Sequence, residues 1–149
     1  MPLSRRKLIK AVVTLSPYLT LFPHSLFAAW PKQAFDAHTI EPALLVLYGD
    51  NQQIPSDKIE MKLDKRIESG DNASVTVSTT LSDVESISLL VRENSPPLAT
   101  SFYFDPMGIP YVSTRLKLAQ SGEVIAVVKT THGLYFQQQS ITVIEGSCI

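Results

Sequence analysis

Hydrophobic residues recur along this chain with two different periods, and the period changes near residue 58. From Trp30 to Tyr48 the apolar positions Phe35, Ile40, Ala43, Leu44, Leu47 and Tyr48 fall near one face of a 3.6-residue repeat. That spacing predicts a helix over 30–48. Pro31 suits its first turn, and Gly49-Asp50-Asn51 ends it. Pro42 conflicts with a continuous helix, so the pattern predicts either a kink there or a helix that begins at Glu41.

From Lys58 onward the period is two. Ile59, Met61 and Leu63 alternate with Glu60, Lys62 and Asp64, and Ser69-Gly70-Asp71-Asn72 makes a turn. Further strands are predicted around Val75 and Val77, over Ile87–Arg92 and over Ala99–Phe104. Others follow over Tyr111–Leu118, Glu123–Thr130, Leu134–Gln138 and Ser140–Ile144. Glu93-Asn94-Ser95-Pro96-Pro97, Asp105-Pro106-Met107-Gly108, Ser121-Gly122 and His132-Gly133 separate them. About eight short strands with turns every ~8–12 residues have the spacing of an antiparallel sandwich. The run Gln137-Gln138-Gln139 reads as the solvent side of an edge strand and its turn. Phe102, Tyr103 and Phe104 cannot all point inward, because successive strand residues face opposite ways.

The first 29 residues read as a targeting segment. Arg5-Arg6 lie within Ser4-Arg5-Arg6-Lys7-Leu8-Ile9-Lys10, an apolar run from Ala11 to Leu21 follows, and Ala28-Ala29 close it. The paired arginines and their neighbours match a twin-arginine signal, which places the product in the periplasm. The run is shorter than the ~20 apolar residues of a membrane span. Without the segment, 9 basic residues face 14 acidic ones, a net charge of −5. An acidic surface argues against nucleic acid and anionic membranes as partners.

Chemistry is sparse. His24, His38 and His132 lie far apart, and no His, Cys, Asp or Glu set has metal-ligand spacing, so neither a metal nor another cofactor is expected. Nucleophile-elbow and phosphate-loop motifs are missing. The one cysteine, Cys148, is one residue from the end, after the predicted strand Ser140–Ile144 and Glu145-Gly146-Ser147. Four extended residues beyond Ile144 reach roughly 13–14 Å. The tail thus reads as a short flexible arm with a thiol near its tip, and the competing reading is a frayed end that happens to hold a cysteine. A single cysteine cannot form an internal disulfide, and in an oxidising compartment it points to pairing with another molecule or to reactive chemistry. Arg115 and Lys117 share one face of the predicted strand Tyr111–Leu118. They are either a contact for an anion or partner or an ordinary solvent face.

Taken in order, several features resemble the SoxY family of sulfur carriers. They are the paired arginines, Ala29-Trp30-Pro31 with Phe35, the Asn94-Ser95-Pro96-Pro97-Leu98 turn, Val112-Ser113-Thr114-Arg115-Leu116-Lys117-Leu118-Ala119-Gln120, and the strand-then-cysteine ending. The resemblance implies a mainly β, immunoglobulin-like antiparallel β-sandwich with an N-terminal helix and a short flexible C-terminal arm. Its limits would be a signal over 1–29, a domain over 30–144 and an arm over 145–149. It implies a non-enzymatic carrier that pairs with a SoxZ-like sandwich subunit and holds sulfur covalently on Cys148. Transient partners would be a haem-containing SoxAX-like enzyme, a manganese-dependent SoxB-like hydrolase and a SoxCD-like enzyme.

The family arm reads Gly-Gly-Cys-Gly-Gly. Here Gly146 is kept, Ser147 stands for a glycine, and Ile149 replaces the terminal pair. Glycines let an arm thread a narrow channel with little steric cost. Ile149 adds a branched side chain and sets the terminal carboxylate beside the thiol. That carboxylate and Glu145 disfavour the thiolate, so activation falls to a partner's positive site. Three readings stay open: a sulfur carrier, a heterodimer subunit with a vestigial cysteine, and a thiol-redox module joined through Cys148.

Overall fold

The computed structural model describes residues 31–50, 52–68 and 72–144. Two helices come first, α1 (Lys32–Phe35) and α2 (Ile40–Tyr48). Nine strands follow: β1 (Gln53–Pro55), β2 (Ile59–Leu63), β3 (Arg66–Ile67), β4 (Ala73–Thr79), β5 (Val84–Val91), β6 (Leu98–Tyr103), β7 (Tyr111–Leu116), β8 (Gly122–Thr130) and β9 (Gly133–Val143). They form an immunoglobulin-like sandwich. One sheet has the order β1-β9-β8-β5-β6, with β3 also on β9, and the other has the order β2-β4-β7.

The predicted single helix over 30–48 is two helices, broken at 36–39. α2 begins at Ile40 after Thr39, one residue before the expected start. Pro42 thereby falls in the first turn, where its missing N–H has no intrahelical partner to lose. At the other end Gly49 adopts a left-handed φ of 71° and donates its N–H to the Leu45 carbonyl at 2.8 Å.

The central strands are covered on both faces. Ile87, Leu89 and Val91 of β5 and Val124, Ala126 and Val128 of β8 enter the core between the sheets with Ile59, Val75, Val77 and Val112. On the opposite face Leu90, Ile125, Val127 and Leu134 pack under Ala34, Ile40, Ala43 and Leu44 of the helices. This double burial explains the unbroken apolar runs Leu89–Val91 in β5 and Val124–Val128 in β8.

The predicted strands 134–138 and 140–144 are one strand, β9, running from Gly133 to Val143 with no turn in it. Gln137 and Gln138 are exposed within it, as expected, but Gln139 turns inward and its Nε2 donates to the Leu63 carbonyl at 2.6 Å, joining the sheets. Two short strands escaped the pattern. Both β1 and β3 pair parallel to β9. β7 ends at Leu116, so Lys117 and Leu118 lie beyond it. Of the three aromatics, Phe102 and Phe104 pack against the inter-sheet core and Tyr103 faces solvent.

Candidate functional site: the root of the C-terminal arm

The arm residues Gly146, Ser147, Cys148 and Ile149 lie outside the described residues, as does the signal over 1–29. What the structure supplies is the platform the arm leaves from. Ile141 is buried and Val143 packs against the core, so the last turns of the pleat anchor β9 from below. Each flank of the strand end is then held. On one side Thr142 donates its N–H to the Lys65 carbonyl at 2.8 Å, and Ile144 donates to the Ile67 carbonyl at 2.8 Å. On the other, Val143 donates to Ser121 Oγ at 2.9 Å, and the same hydroxyl donates back to the Val143 carbonyl at 3.3 Å.

The segment bearing Ser121 is itself braced. Asn94 donates from Nδ2 to the Lys117 carbonyl at 2.7 Å and accepts from the Ala119 N–H on Oδ1 at 2.9 Å. Glu93 accepts the Glu123 N–H on Oε2 at 2.8 Å, and Arg92 pairs with Glu123 at 2.7 Å. The Asn-Pro turn recognised in the sequence is therefore a side-chain bracket. It ties the β5–β6 turn to the β7–β8 connection, and that connection grips β9.

This chain of contacts brings Lys117 to the same end of the sandwich as the arm root. Arg115 is exposed on β7, opposite Ser74 of β4, on the outer face of the smaller sheet. The two do not form one cationic patch on a strand, since β7 ends between them. The strap β3 and the residue before it add exposed Arg66 and Lys65 at the root, which sequence reading missed because so short a strand carries no period.

The histidines are apart. His38 Nδ1 lies 3.2 Å from Ser95 Oγ, while His132 is in the β8–β9 turn beside Asp83. Among the described residues no group of three or more His, Cys, Asp or Glu side chains is gathered for a metal, and no helix is long and apolar enough to cross a membrane. One perturbed group stands out. Tyr48, at the end of α2, reaches Ser88 Oγ at 2.6 Å and Ser86 Oγ at 3.1 Å. Burial raises its pKa above the ordinary 10.0, against the serine hydrogen bonds that lower it. Tyr48 fastens α2 to β5, and its partners, buried serines, give it a structural part.

Residues 45–148 match the family model of the sulfur oxidation protein SoxY. Among solved structures, the chain is similar to the sulfur carrier protein SoxY from Chlorobium limicola f thiosulfatophilum, with 28% identity and a TM-score of 0.66. That similarity covers 77% of this chain and 100% of the other. No curated protein matches. With a family match over most of its length and the same sandwich, this chain belongs to the SoxY family of sulfur oxidation proteins and has its carrier role.

Proposed function

We propose that the chain works in the periplasm as a covalent sulfur carrier with Cys148 as the attachment point. In this reading residues 1–29 direct export by the twin-arginine route, 30–144 form the carrier domain and 145–149 the arm. A SoxZ-like subunit completes the heterodimer. The observation that carries the reading is that the family match runs to Cys148 as its last residue.

The chemistry follows from a thiol presented on a tether. The Cys148 thiolate forms an S–S bond with thiosulfate, and two electrons leave to a haem-containing SoxAX-like partner. Water then cleaves the terminal sulfonate in a SoxB-like hydrolase. Sulfate departs, two protons are released, and a persulfide stays on the arm for oxidation by a SoxCD-like enzyme. This chain's own part is to hold the sulfur and move it. Arg115 and Lys117 are proposed contacts for a partner or an anion, with Lys117 the better placed of the two.

Mass spectrometry of the protein from cells given thiosulfate tests the reading. The Cys148 peptide is expected to carry sulfane or thiosulfonate mass, and Cys148→Ser to abolish thiosulfate oxidation. An unmodified Cys148 during active consumption overturns it. The Ile149 substitution favours one rival, a subunit with a vestigial cysteine, and that rival requires oxidation to persist in Cys148→Ser. A disulfide-linked dimer on non-reducing gels, without sulfur adducts, would instead mark a thiol-redox module.

A further inference from the structure

The helices cover only part of the outer face of the larger sheet. α2 runs from its tail, where Tyr48 bonds Ser86 and Ser88, to its head at Ile40. His38 Nδ1, 3.2 Å from Ser95 Oγ, holds the approach to that head near the far end of β5. Past the head the same face of β9 is exposed at Gln138, Ser140 and Thr142. A cavity of about 280 Å³ lies where the covered and uncovered parts meet. It runs across the strands from Arg92, just past β5, over β8 and β9 to Gln53 on β1. Three strand spacings make that span about 14 Å.

Its floor is apolar and its rim is polar. Ile125 of β8 and Phe136 of β9 form the floor, both of them part of the core under the helices. The rim takes one polar side chain from each of four places in the chain: Glu41 of α2, Gln53 of β1, Arg92 and Gln138 of β9. Strand alternation aims Gln138 here. Gln139 turns inward to the Leu63 carbonyl, so Gln138 shares the helix side of β9 with Phe136. Arg92 is pinned by one edge only. Glu123 Oε2 accepts from its Nε at 2.7 Å, which leaves both Nη groups able to donate elsewhere. Among the described residues, the Glu41 carboxylate and the Gln53 and Gln138 amides have no hydrogen-bond partner.

We propose that this cavity binds a free α-amino acid with an apolar side chain, held as its zwitterion. The rim carries one positive and one negative group, and two amides that both donate and accept. A simple anion would meet Glu41 and a simple cation would meet Arg92, so a ligand with a single charge is disfavoured. A zwitterion satisfies both. Its carboxylate takes the free Nη donors of Arg92, and its ammonium donates to Glu41. Its side chain lies over Ile125 and Phe136, away from water. The volume is that of about nine waters, enough for a molecule of this size and too little for a nucleotide. Gln138 is six residues from Ile144, roughly 20 Å along the strand, and the proposed arm reaches roughly 13–14 Å. The bound molecule is therefore no acceptor for the Cys148 thiol. Its effect is to tie the head of α2 to the sheet. The inference goes beyond the carrier reading and does not depend on it.

Titration of the purified full chain with L-leucine, followed by amide NMR shifts, tests the inference. The wild type is expected to show saturable shifts at Gln53, Arg92, Ile125 and Gln138, with a Kd of roughly 0.3–10 mM for so small a ligand. N-acetyl-L-leucine lacks the ammonium and L-leucinamide lacks the carboxylate, and each should bind about tenfold more weakly. Glu41→Gln should erase the preference for leucine over the acetyl compound, and Arg92→Gln the preference over the amide. Gln138→Trp, at an exposed position, should fill the cavity and abolish the leucine shifts while the spectrum stays that of a folded protein. No saturable shift up to ~30 mM leucine overturns the proposal. So do equal affinities for the three compounds, and so does undiminished binding by Gln138→Trp.

Discussion

Replacing Tyr48 with phenylalanine removes one oxygen from the helix–sheet junction and leaves the ring in place. In the native protein that hydroxyl bridges Ser86 and Ser88, both fully buried on the helix-facing side of β5. After the change Ser88 still donates to Ser101 Oγ at 2.8 Å, but Ser86 loses its bond to Tyr48. Two neutral hydrogen bonds at about 1 kcal/mol each, one of them leaving a buried hydroxyl behind, give a loss of about 2–3 kcal/mol. For a domain of this size that corresponds to a fall in Tm of about 6–12 °C. Urea titration followed by far-UV circular dichroism should show a lower midpoint at an unchanged slope. Tyr48→Phe combined with Ser86→Ala removes the stranded hydroxyl and should recover about 1 kcal/mol. The pH dependence supplies an independent check. Burial raises the Tyr48 pKa in the folded state above its unfolded value of 10.0, so the folded protein holds this proton more tightly. The contribution is complete below pH 10 and is lost as pH rises from there through the folded-state value. The phenylalanine variant has no such proton, so the gap to wild type should narrow above pH 10. A gap that stays constant from neutral to strongly alkaline pH, or a variant as stable as wild type, would refute the assignment.

Two further substitutions probe the arm root. At Gly122 an added Cβ would come within 1.7 Å of Glu93 Oε2. Gly122→Ala should therefore expel that flexible carboxylate and cost the Glu123 N–H bond, about 1 kcal/mol by chemical denaturation. Expulsion predicts that Glu93→Ala already carries most of that loss, with Gly122→Ala adding little to it. Ser121→Ala removes the one side chain that bonds both the N–H and the C=O of Val143. Its amide exchange should speed by about tenfold, while exchange at Ile87 and Leu89 in the core stays unchanged.

The parts of this fold that could be read in the sequence are those with a period. Ile59-Met61-Leu63 and Val75-Val77 alternate because one face of the smaller sheet is wet, and both strands are where the pattern puts them. β9 was divided in two because the apolar alternation lapses at Gln137–Gln139, where the strand crosses between the cover of β1 and that of β3 and its side chains need not be apolar. β1 and β3 were invisible for a simpler reason. Three residues and two residues hold no repeat, and their pairing with β9 is set by contacts distant in sequence. The helix break at 36–39 was signalled by Pro42, although proline marks the first turn after the break and not the break itself. Cys148, the proposed attachment point, stands out in the sequence as its only cysteine. Its platform does not, because Ser121, Asn94 and Lys65 look like ordinary turn residues until the fold sets them beside Val143.

That platform bears on how a short tether delivers cargo. In the proposed reading, the four residues from Glu145 to Cys148 reach roughly 13–14 Å at full extension, far less than the width of a partner enzyme. A tether so short searches little space on its own, so the position and direction of its root decide what the thiol can meet. A root that frayed by two or three residues would lengthen the search and loosen its aim. β9 opposes this with a buried Ile141, ladder bonds from Thr142 and Ile144 to the strap, and the Ser121 clamp on Val143. Strand β9 thus ends at Val143, and the Ile144 N–H is still bonded to the Ile67 carbonyl one residue before Glu145. Under the proposed carrier reading, a stiff base fixes where a short arm can present its thiol. The local bonds at residues 142–144 are where selection for reach would act, since lengthening the arm and loosening its root have the same effect on where the thiol can go.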